Sequence, residues 1–326
     1  MSKPTSLTTW QLIHTCIRQQ QPVMLLYVLE SHGSSPGRQG FLMAVTASGD
    51  MEGSIGGGIM EHKFVEMANE KLRRHTTELS IRTQYHDKQA THNQSGMICS
   101  GDQTILVYRI RPHDESAVQA IVDCLDQNRN GQLTLSPSGI QFTENVSLNT
   151  DYSFNRGSVD EWQYQERLGY KNELFIIGGG HCALALSRMM SLMDFYIRIY
   201  DDRPDLHTMQ LNAVAHEKIT IRTYSDLTNL IPSGANKFVV VMTFGYRTDD
   251  LAIRALLNKS FRYFGVLGSK TKIGKLFADY RAEGISDEGL TQIHAPIGLS
   301  IHSQTPEEIA VSIAAEIIQV KNQYLS

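Results

Sequence analysis

The sequence predicts an α/β protein in which an N-terminal α/β domain precedes a C-terminal Rossmann-like domain built on a parallel sheet. Three observations support this fold class: a glycine turn at 178–180, hydrophobic strands that alternate with helices after residue 172, and glycine-rich loops among the strands before residue 110. The 326 residues suit about two domains. We predict an N-terminal domain at 1–110, a connector with minor β structure at 111–171, and the Rossmann-like domain at 172–326.

The glycine turn is the most informative element. Gly178, Gly180 and Ala183 have the spacing of a dinucleotide-binding turn, in which the second glycine lets a phosphate approach the backbone. Asp201 lies 23 residues after Gly178, close to the spacing of an acid that binds a ribose hydroxyl. His181 opens the following helix, where contact with a phosphate and a purely structural capping role are equally consistent with the sequence. These residues predict a nucleotide-binding site.

Hydrophobic periodicity places the regular elements of both domains. In the C-terminal domain, strands are expected at 173–177, 196–200, 238–242 and 263–267, and helices near 181–193 and 249–258. In the N-terminal domain, strands are expected at 23–30, 41–46, 79–85 and 103–110, and helices at 8–20 and 59–74. The last helix begins with the capping box Thr305–Glu308 and has Pro306 in its first turn.

The loop at 53–58 has four glycines in six residues. Consecutive glycines can turn their N–H groups toward one anion, so Gly56, Gly57 and Gly58 are candidate anion-binding residues. Arg38, in the preceding loop at 33–40, adds a planar guanidinium suited to phosphate or carboxylate. Glycine turns without a ligand and a solvated arginine are the alternatives that spacing leaves open.

A third glycine loop, at 95–101, places Cys99 between glycines. Backbone N–H groups near a thiol lower its pKa and favour the reactive thiolate. Cys99 is therefore our candidate for the catalytic residue, acting as a sulfur or metal contact, although a structural role is equally consistent with the sequence. No metal ligand set can be assigned from the four cysteines, which include no CxxC pair.

Composition excludes two classes of partner. The net charge of −4 and the sequence pI of about 6.3 predict no nucleic-acid binding, which needs a clustered basic face. The longest apolar run, Val23–Leu29, has seven residues and cannot span a bilayer. The first ten residues lack an apolar signal core. We therefore expect a cytoplasmic protein without a membrane partner.

Several segments in both domains share a pattern with one known family. They are, in chain order, Gly33–Met43, Gly53–Glu61, Gly96–Gly101, Gly178–Ala183, Asp201–Arg203, Gly265–Lys270, Pro296–Leu299 and Thr305–Glu316. In this order they resemble the XdhC/CoxI family of xanthine dehydrogenase accessory proteins, over residues 10–110 and 172–322. The chain departs from the family pattern at Ile59, where the family usually has a cysteine.

The resemblance implies a cofactor chaperone more than a catalyst. Such proteins bind the molybdenum cofactor (molybdopterin), assist its sulfuration, and insert it into a xanthine dehydrogenase-type molybdenum hydroxylase. The resemblance also implies a homodimer and a cysteine desulfurase as a source of sulfur. The glycine turn leaves two alternatives open: an oxidoreductase with NAD(P) as cofactor, and a nucleotide-binding regulatory module.

Overall fold

The computed structural model describes residues 1–85, 101–144, 150–158 and 161–323. The chain divides into two compact units. One unit is Lys3–Gly169, and the other is Tyr170–Ser326 together with Met1–Ser2.

The first unit combines helices with two antiparallel sheets. Its described elements are α1 (Leu7–Arg18), β1 (Val23–Gly33), β2 (Leu42–Thr46), β3 (Met51–Gly53), α2 (Gly58–Arg73), β4 (Ser80–Tyr85), β5 (Gly101–Arg109), α3 (Glu115–Asp126), β6 (Gly131–Ser136), β7 (Gly139–Glu144), β8 (Tyr152–Arg156) and β9 (Trp162–Leu168). The first sheet has the order β3-β2-β1-β5-β4 among the described strands.

Strand β1 lies at the centre of this first sheet and is buried on both faces from Val23 to Leu29. One face packs on α2 through residues such as Phe64. The other face packs on a core that contains Trp10 of α1 and Ile121 of α3. Burial on both sides explains why β1 is a continuous apolar run instead of an alternating one.

Residues 111–171, which the sequence assigns to a connector, contain α3 and the strands of the second sheet, ordered β7-β6-β9-β8. Strand β9 alternates strictly, with Trp162, Tyr164, Glu166 and Leu168 buried. Glu166 is buried because the hydroxyl groups of Tyr27 and Tyr164 both donate to its Oε2, at 2.6 and 2.7 Å. Because Glu166 is one of the inward-facing residues of β9, the hydrophobic pattern of the sequence does not identify this segment as a buried strand.

The second unit has the elements β10 (Asn172–Ile177), α4 (His181–Met190), β11 (Phe195–Asp201), α5 (His207–Leu211), β12 (Glu217–Thr220), α6 (Leu227–Leu230), β13 (Gly234–Val241), α7 (Tyr246–Leu256), β14 (Phe261–Val266), α8 (Lys270–Ala282), α9 (Asp287–Thr291) and α10 (Pro306–Asn322). All strand pairs of its sheet are parallel, and the order is β12-β11-β10-β13-β14. Helices α4 and α10 contribute to the core on one face, and α7 and α8 to the core on the other.

This arrangement confirms the predicted mixed α/β fold with a C-terminal Rossmann-like parallel sheet. The chain order across the sheet is third, second, first, fourth, fifth, so its direction reverses between β10 and β13. In sheets of this kind, ligands bind outside the carboxyl ends of the strands at the reversal. Across the described residues, every helix is too short or too polar to pass through a bilayer.

Candidate functional site

The described parts of the three N-terminal glycine loops meet at one end of β1 and β5. Gly33 and Gly101 are paired at the ends of these strands. A Cβ atom added to Gly56 would lie 2.4 Å from the amide nitrogen of Gly37, so the second loop touches the first. A Cβ on Gly101 would lie 2.5 Å from the carbonyl oxygen of His32. The loops therefore pack so closely here that no larger residue fits.

Gln103 holds the first and second loops together, and the sequence motifs did not identify it. Its side chain is fully buried, and its Nε2 donates to the carbonyl oxygens of Gly37 (3.0 Å) and Ile55 (3.2 Å). One amide group thus bridges the first and second loops. In the sequence, the feature that could have indicated this role is the position of polar Gln103 before the apolar run of β5.

The nest formed by the second loop already holds an anion, the carboxylate of Glu61. Oε2 of Glu61 accepts hydrogen bonds from the N–H groups of Ile55 (2.9 Å) and Gly57 (3.0 Å), and from the Ser54 hydroxyl (2.6 Å). The Gly56 N–H donates to the Ser54 Oγ at 3.0 Å. The predicted anion-binding amides of Gly56 and Gly57 are therefore satisfied within the chain.

Gly58 differs from its two neighbours. It is the first residue of α2, and its N–H has no hydrogen-bond partner within the described residues. Arg38 is exposed, and its Nη1 donates to the carbonyl oxygen of Gly33 at 2.9 Å, which braces the first loop. Cys99, the candidate sulfur contact, lies outside the described residues.

A histidine flanked by carboxylates stands at the same end of the sheet. His32 and Asp102 face each other across β1 and β5, with 3.3 Å between His32 Nδ1 and Asp102 Oδ1. The Nε2 of His32 lies 3.8 Å from Glu30 Oε1. The His32 side chain is 60% exposed, so solvent or a ligand can reach it. No sequence motif marks this pair, because only the strand register brings its two residues together.

The C-terminal glycine turn lies tightly against the next strand of the sheet. Gly178 has a φ of +104°, and a Cβ there would lie 2.4 Å from the carbonyl oxygen of Met242. Gly180 is different, because a Cβ there would meet nothing within 4 Å. The N–H groups of Gly180 and His181 have no hydrogen-bond partners within the described parts of the chain. The open backbone at Gly180 fits a phosphate.

Asp201, at the end of β11, holds this turn in place through its carboxylate. Its side chain is fully buried, and Oδ2 accepts the Gly179 N–H at 2.7 Å. The guanidinium of Arg203 donates to both carboxylate oxygens at 2.8 Å. Burial alone would raise the pKa of Asp201, but the hydrogen bonds from Arg203 and Gly179 outweigh burial and lower it. The predicted ribose-binding carboxylate is thus engaged by its own chain.

His181 and Cys182 begin α4 beside the open turn. His181 is exposed, whereas Cys182 is partly buried. Burial, followed by the charge of Glu307, raises the pKa of the Cys182 thiol. A raised pKa disfavours the thiolate, which is the nucleophilic form of cysteine.

The loop after β13 also lies at the carboxyl ends of the strands, where the strand order reverses. The buried carboxylate of Asp249 accepts the Thr243 N–H at 3.1 Å and pairs with Lys272. Phe244 is 65% exposed, and its ring centroid lies 4.9 Å from Cζ of Arg203. Among the described residues, no group of three or more His, Cys, Asp or Glu side chains is arranged to hold a metal ion.

Comparison with known proteins agrees with this architecture. The model of the XdhC and CoxI family matches residues 16–85, and the model of the XdhC Rossmann domain matches residues 174–317. A probable xanthine dehydrogenase subunit of Bacillus subtilis is 23% identical over 334 residues, which cover 96% of this chain and 97% of that protein.

Two further relatives extend the comparison. Uncharacterized protein YqeB of Escherichia coli is 23% identical over 306 residues, which cover 93% of this chain. This chain spans only 44% of the length of that relative. The crystal structure of a xanthine dehydrogenase from Bacillus halodurans shares the fold, with a TM-score of 0.70 at 24% identity over 97% of this chain and 96% of that one.

The family models cover the first two glycine loops of the first unit and most of the parallel sheet of the second. They confirm the resemblance that the ordered motifs indicated and the Rossmann character of the C-terminal unit. The chain belongs to the XdhC/CoxI family, which is linked to xanthine dehydrogenase maturation.

Proposed function

We propose that this protein binds the molybdenum cofactor, assists its sulfuration and inserts it into a xanthine dehydrogenase-type molybdenum hydroxylase. The observation that carries the proposal is membership of the XdhC/CoxI family through separate matches in both units. The name of the Bacillus subtilis relative, which describes a probable xanthine dehydrogenase subunit, supports the choice of client. The carrier role agrees with a chain whose motifs are mostly glycine turns.

The open turn at Gly180 is our choice for the phosphate of the pterin cargo. The free N–H groups of Gly180 and His181 point from the start of α4, where the helix dipole also favours a negative charge. The space around Gly180 admits a phosphate oxygen close to the backbone. The nest at 54–57 is a weaker choice, because Glu61 fills it.

The N-terminal unit would then serve the sulfur chemistry. We assign the sulfur contact to Cys99, which precedes Gly101 by two residues in the chain. Arg38 and the Gly58 N–H remain available for an anionic group at this sheet end. His32, oriented by Asp102, is our candidate for accepting a proton from a thiol or persulfide.

An NAD(P)-dependent oxidoreductase remains the competing function, and the Rossmann strand order favours it. The carboxylate of Asp201 argues against it, because both oxygens are occupied by Arg203 and Gly179 and cannot also chelate a ribose diol. A nucleotide-binding regulatory module would need only the open turn. These alternatives make different predictions about which small molecule the protein retains.

The decisive experiment loads the purified full chain with molybdenum cofactor without oxygen and supplies it to cofactor-free xanthine dehydrogenase. We expect the wild-type protein to protect the cofactor and restore hydroxylase activity in the presence of a cysteine desulfurase and cysteine. Retention of NAD(P)(H) with turnover of an alcohol or aldehyde, and no retention of the pterin, would replace this proposal by the oxidoreductase. Size measurement of the loaded protein tests the homodimer.

Two variants locate the activities. Gly180→Val should keep the fold, since nothing lies within 4 Å of the new Cβ, and should lose cofactor retention. Gly274→Val, at an equally open glycine inside α8, is the control. Cys99→Ser should retain cofactor but fail to support sulfuration, whereas substitution of buried Cys124 by Ser should leave sulfuration intact. Equal sulfuration by Cys99→Ser and wild type would remove Cys99 from the mechanism.

A further inference from the structure

Phe244 is exposed on a loop that is held in place. It follows β13, and 65% of its surface is accessible. The neighbouring Thr243 donates its N–H to buried Asp249 at 3.1 Å, and the Thr248 hydroxyl donates to the Gly245 carbonyl oxygen at 3.0 Å. Because its flanks are anchored, Phe244 cannot be explained as the tip of a loosely packed loop. Single exposed apolar residues are common on protein surfaces, so the case for Phe244 depends on the groups that lie beside it.

Arg203 fixes a positive charge beside that ring. Its guanidinium stands 4.9 Å from the Phe244 centroid, within the range of a cation–π contact. Two hydrogen bonds of 2.8 Å to Asp201 hold the guanidinium in this position. Nη1 of Arg203 has no hydrogen-bond partner within the described residues, so one edge of the fork remains free for an anion.

The pair lies on the edge of the sheet where a ligand is expected. Arg203 follows β11 and Phe244 follows β13, and these strands flank β10 and its open glycine turn. The ring, the free guanidinium edge and the unpaired N–H of Gly180 thus belong to three adjacent strand ends. This is the strand reversal at which ligands of doubly wound sheets bind.

We propose that Phe244 and Arg203 form a stacking platform for the planar heteroaromatic ring of a phosphorylated ligand. The inference rests on the proposed function and refines it, because both a pterin and a purine nucleotide have such a ring. Aromatic stacking accepts either ring, and the free guanidinium edge adds attraction for the phosphate. Since Asp201 is engaged by Arg203, recognition would depend on ring and anion instead of on ribose hydroxyls.

The test measures the affinity of the full chain for ADP and, separately, for molybdopterin, by titration calorimetry and anaerobic retention. Loss of stacking in Phe244→Leu should weaken binding of the stacked ligand about tenfold. Phe244→Trp should preserve binding and show ligand-dependent quenching, since native Trp10 and Trp162 are buried in the other unit. Leu192→Ala, which removes a 75% exposed side chain before β11 at the opposite sheet edge, is the control.

The outcomes separate the two proposals. Wild-type binding of ADP but not of molybdopterin, weakened by Phe244→Leu, would support the platform and reject the cofactor chaperone. Weakened binding of molybdopterin alone would support both. Unchanged affinity of Phe244→Leu for every ligand that wild type binds would overturn the platform, as would a wild-type protein that binds neither ligand. Matching unfolding temperatures of all variants would show that the comparison concerns binding and not folding.

Discussion

The two glycine-rich bends that the sequence presents as similar differ in what their N–H groups do. In the N-terminal loop, the amides of Ile55 and Gly57 donate to the carboxylate of Glu61, at 2.9 and 3.0 Å. In the C-terminal turn, Asp201 takes only the Gly179 N–H, at 2.7 Å, and Gly180 stays open. One bend is closed by its own chain, and the other can receive an external anion.

The position of the acid decides between these outcomes. Glu61 belongs to the first turn of the helix that the loop precedes, so its side chain folds back into the nest. Asp201 comes from the neighbouring strand and reaches the turn from inside the fold, where Arg203 completes its pairing. Glycine spacing alone therefore predicts a place where an anion can bind, but not whether the protein itself supplies that anion.

We expect the largest effect on stability from a substitution at Gly178 in the C-terminal turn. Gly178→Ala forces a Cβ to 2.4 Å from the Met242 carbonyl oxygen at a φ of +104°, and should lower the free energy of unfolding by about 3–4 kcal/mol. Gly180→Ala, two residues away with open space and an ordinary φ of −70°, should change stability little. Chemical denaturation measures both variants. Equal stability of Gly178→Ala and Gly180→Ala would contradict the close contact between the turn and the Met242 carbonyl oxygen.

Removal of the Asp201 charge beside the turn should have the next largest effect on stability. Asp201→Asn leaves the guanidinium of Arg203 without its charged partner and places an NH₂ group opposite N–H donors, so we expect a loss of about 2–3 kcal/mol in the free energy of unfolding. Asp226→Asn, at an exposed capping position in the same unit, is the control. A loss no larger than that of the control would contradict a supporting role for Asp201.

Opening the closed nest should cost less stability and create a binding site. Glu61→Ala frees the N–H groups of Ile55 and Gly57, and should lower the free energy of unfolding by about 1–2 kcal/mol. Added sulfate or phosphate should restore part of this loss in Glu61→Ala, since the freed amides would bind an anion. Glu66→Ala, on the exposed part of the same helix, should show neither change. Thermal unfolding at several sulfate concentrations distinguishes these results.

The smallest effect concerns pH. The folded-state pKa of Asp201 lies below its usual value, because hydrogen bonds from Arg203 and Gly179 outweigh burial. Its stabilising contribution is therefore present above the unfolded-state pKa of about 3.9 and is lost as the pH falls through the lowered folded-state pKa. The stability difference between wild type and Asp201→Asn should shrink as the solution is acidified below this value. Urea unfolding from pH 6 downward measures it, and a constant difference would contradict the assignment.

Several features could be predicted from the sequence because they depend on local chemistry. The capping box of α10 is present as expected, with the Glu308 N–H donating to the Thr305 hydroxyl oxygen at 3.2 Å. The strands β10, β11 and β14 begin within two residues of their predicted positions, since each contains buried apolar residues such as Phe175, Ile197 and Phe264. Strand β9 was harder to predict, because Glu166 interrupts its apolar row.

The sequence by itself determined the fold class, the family and the location of the glycine bends, because these follow from residue order and spacing. Only the folded structure decided which amides remain open, because Glu61 closes its nest from nearby in the chain, whereas Asp201 reaches the C-terminal turn from the neighbouring strand. The bridge from Gln103 to Gly37, the pairing of His32 with Asp102 and the approach of Arg203 to Phe244 each depend on strand register or on strand order. Since hydrogen bonds and cation–π contacts both need their partners close together, such pairings exist only after the sheets have formed.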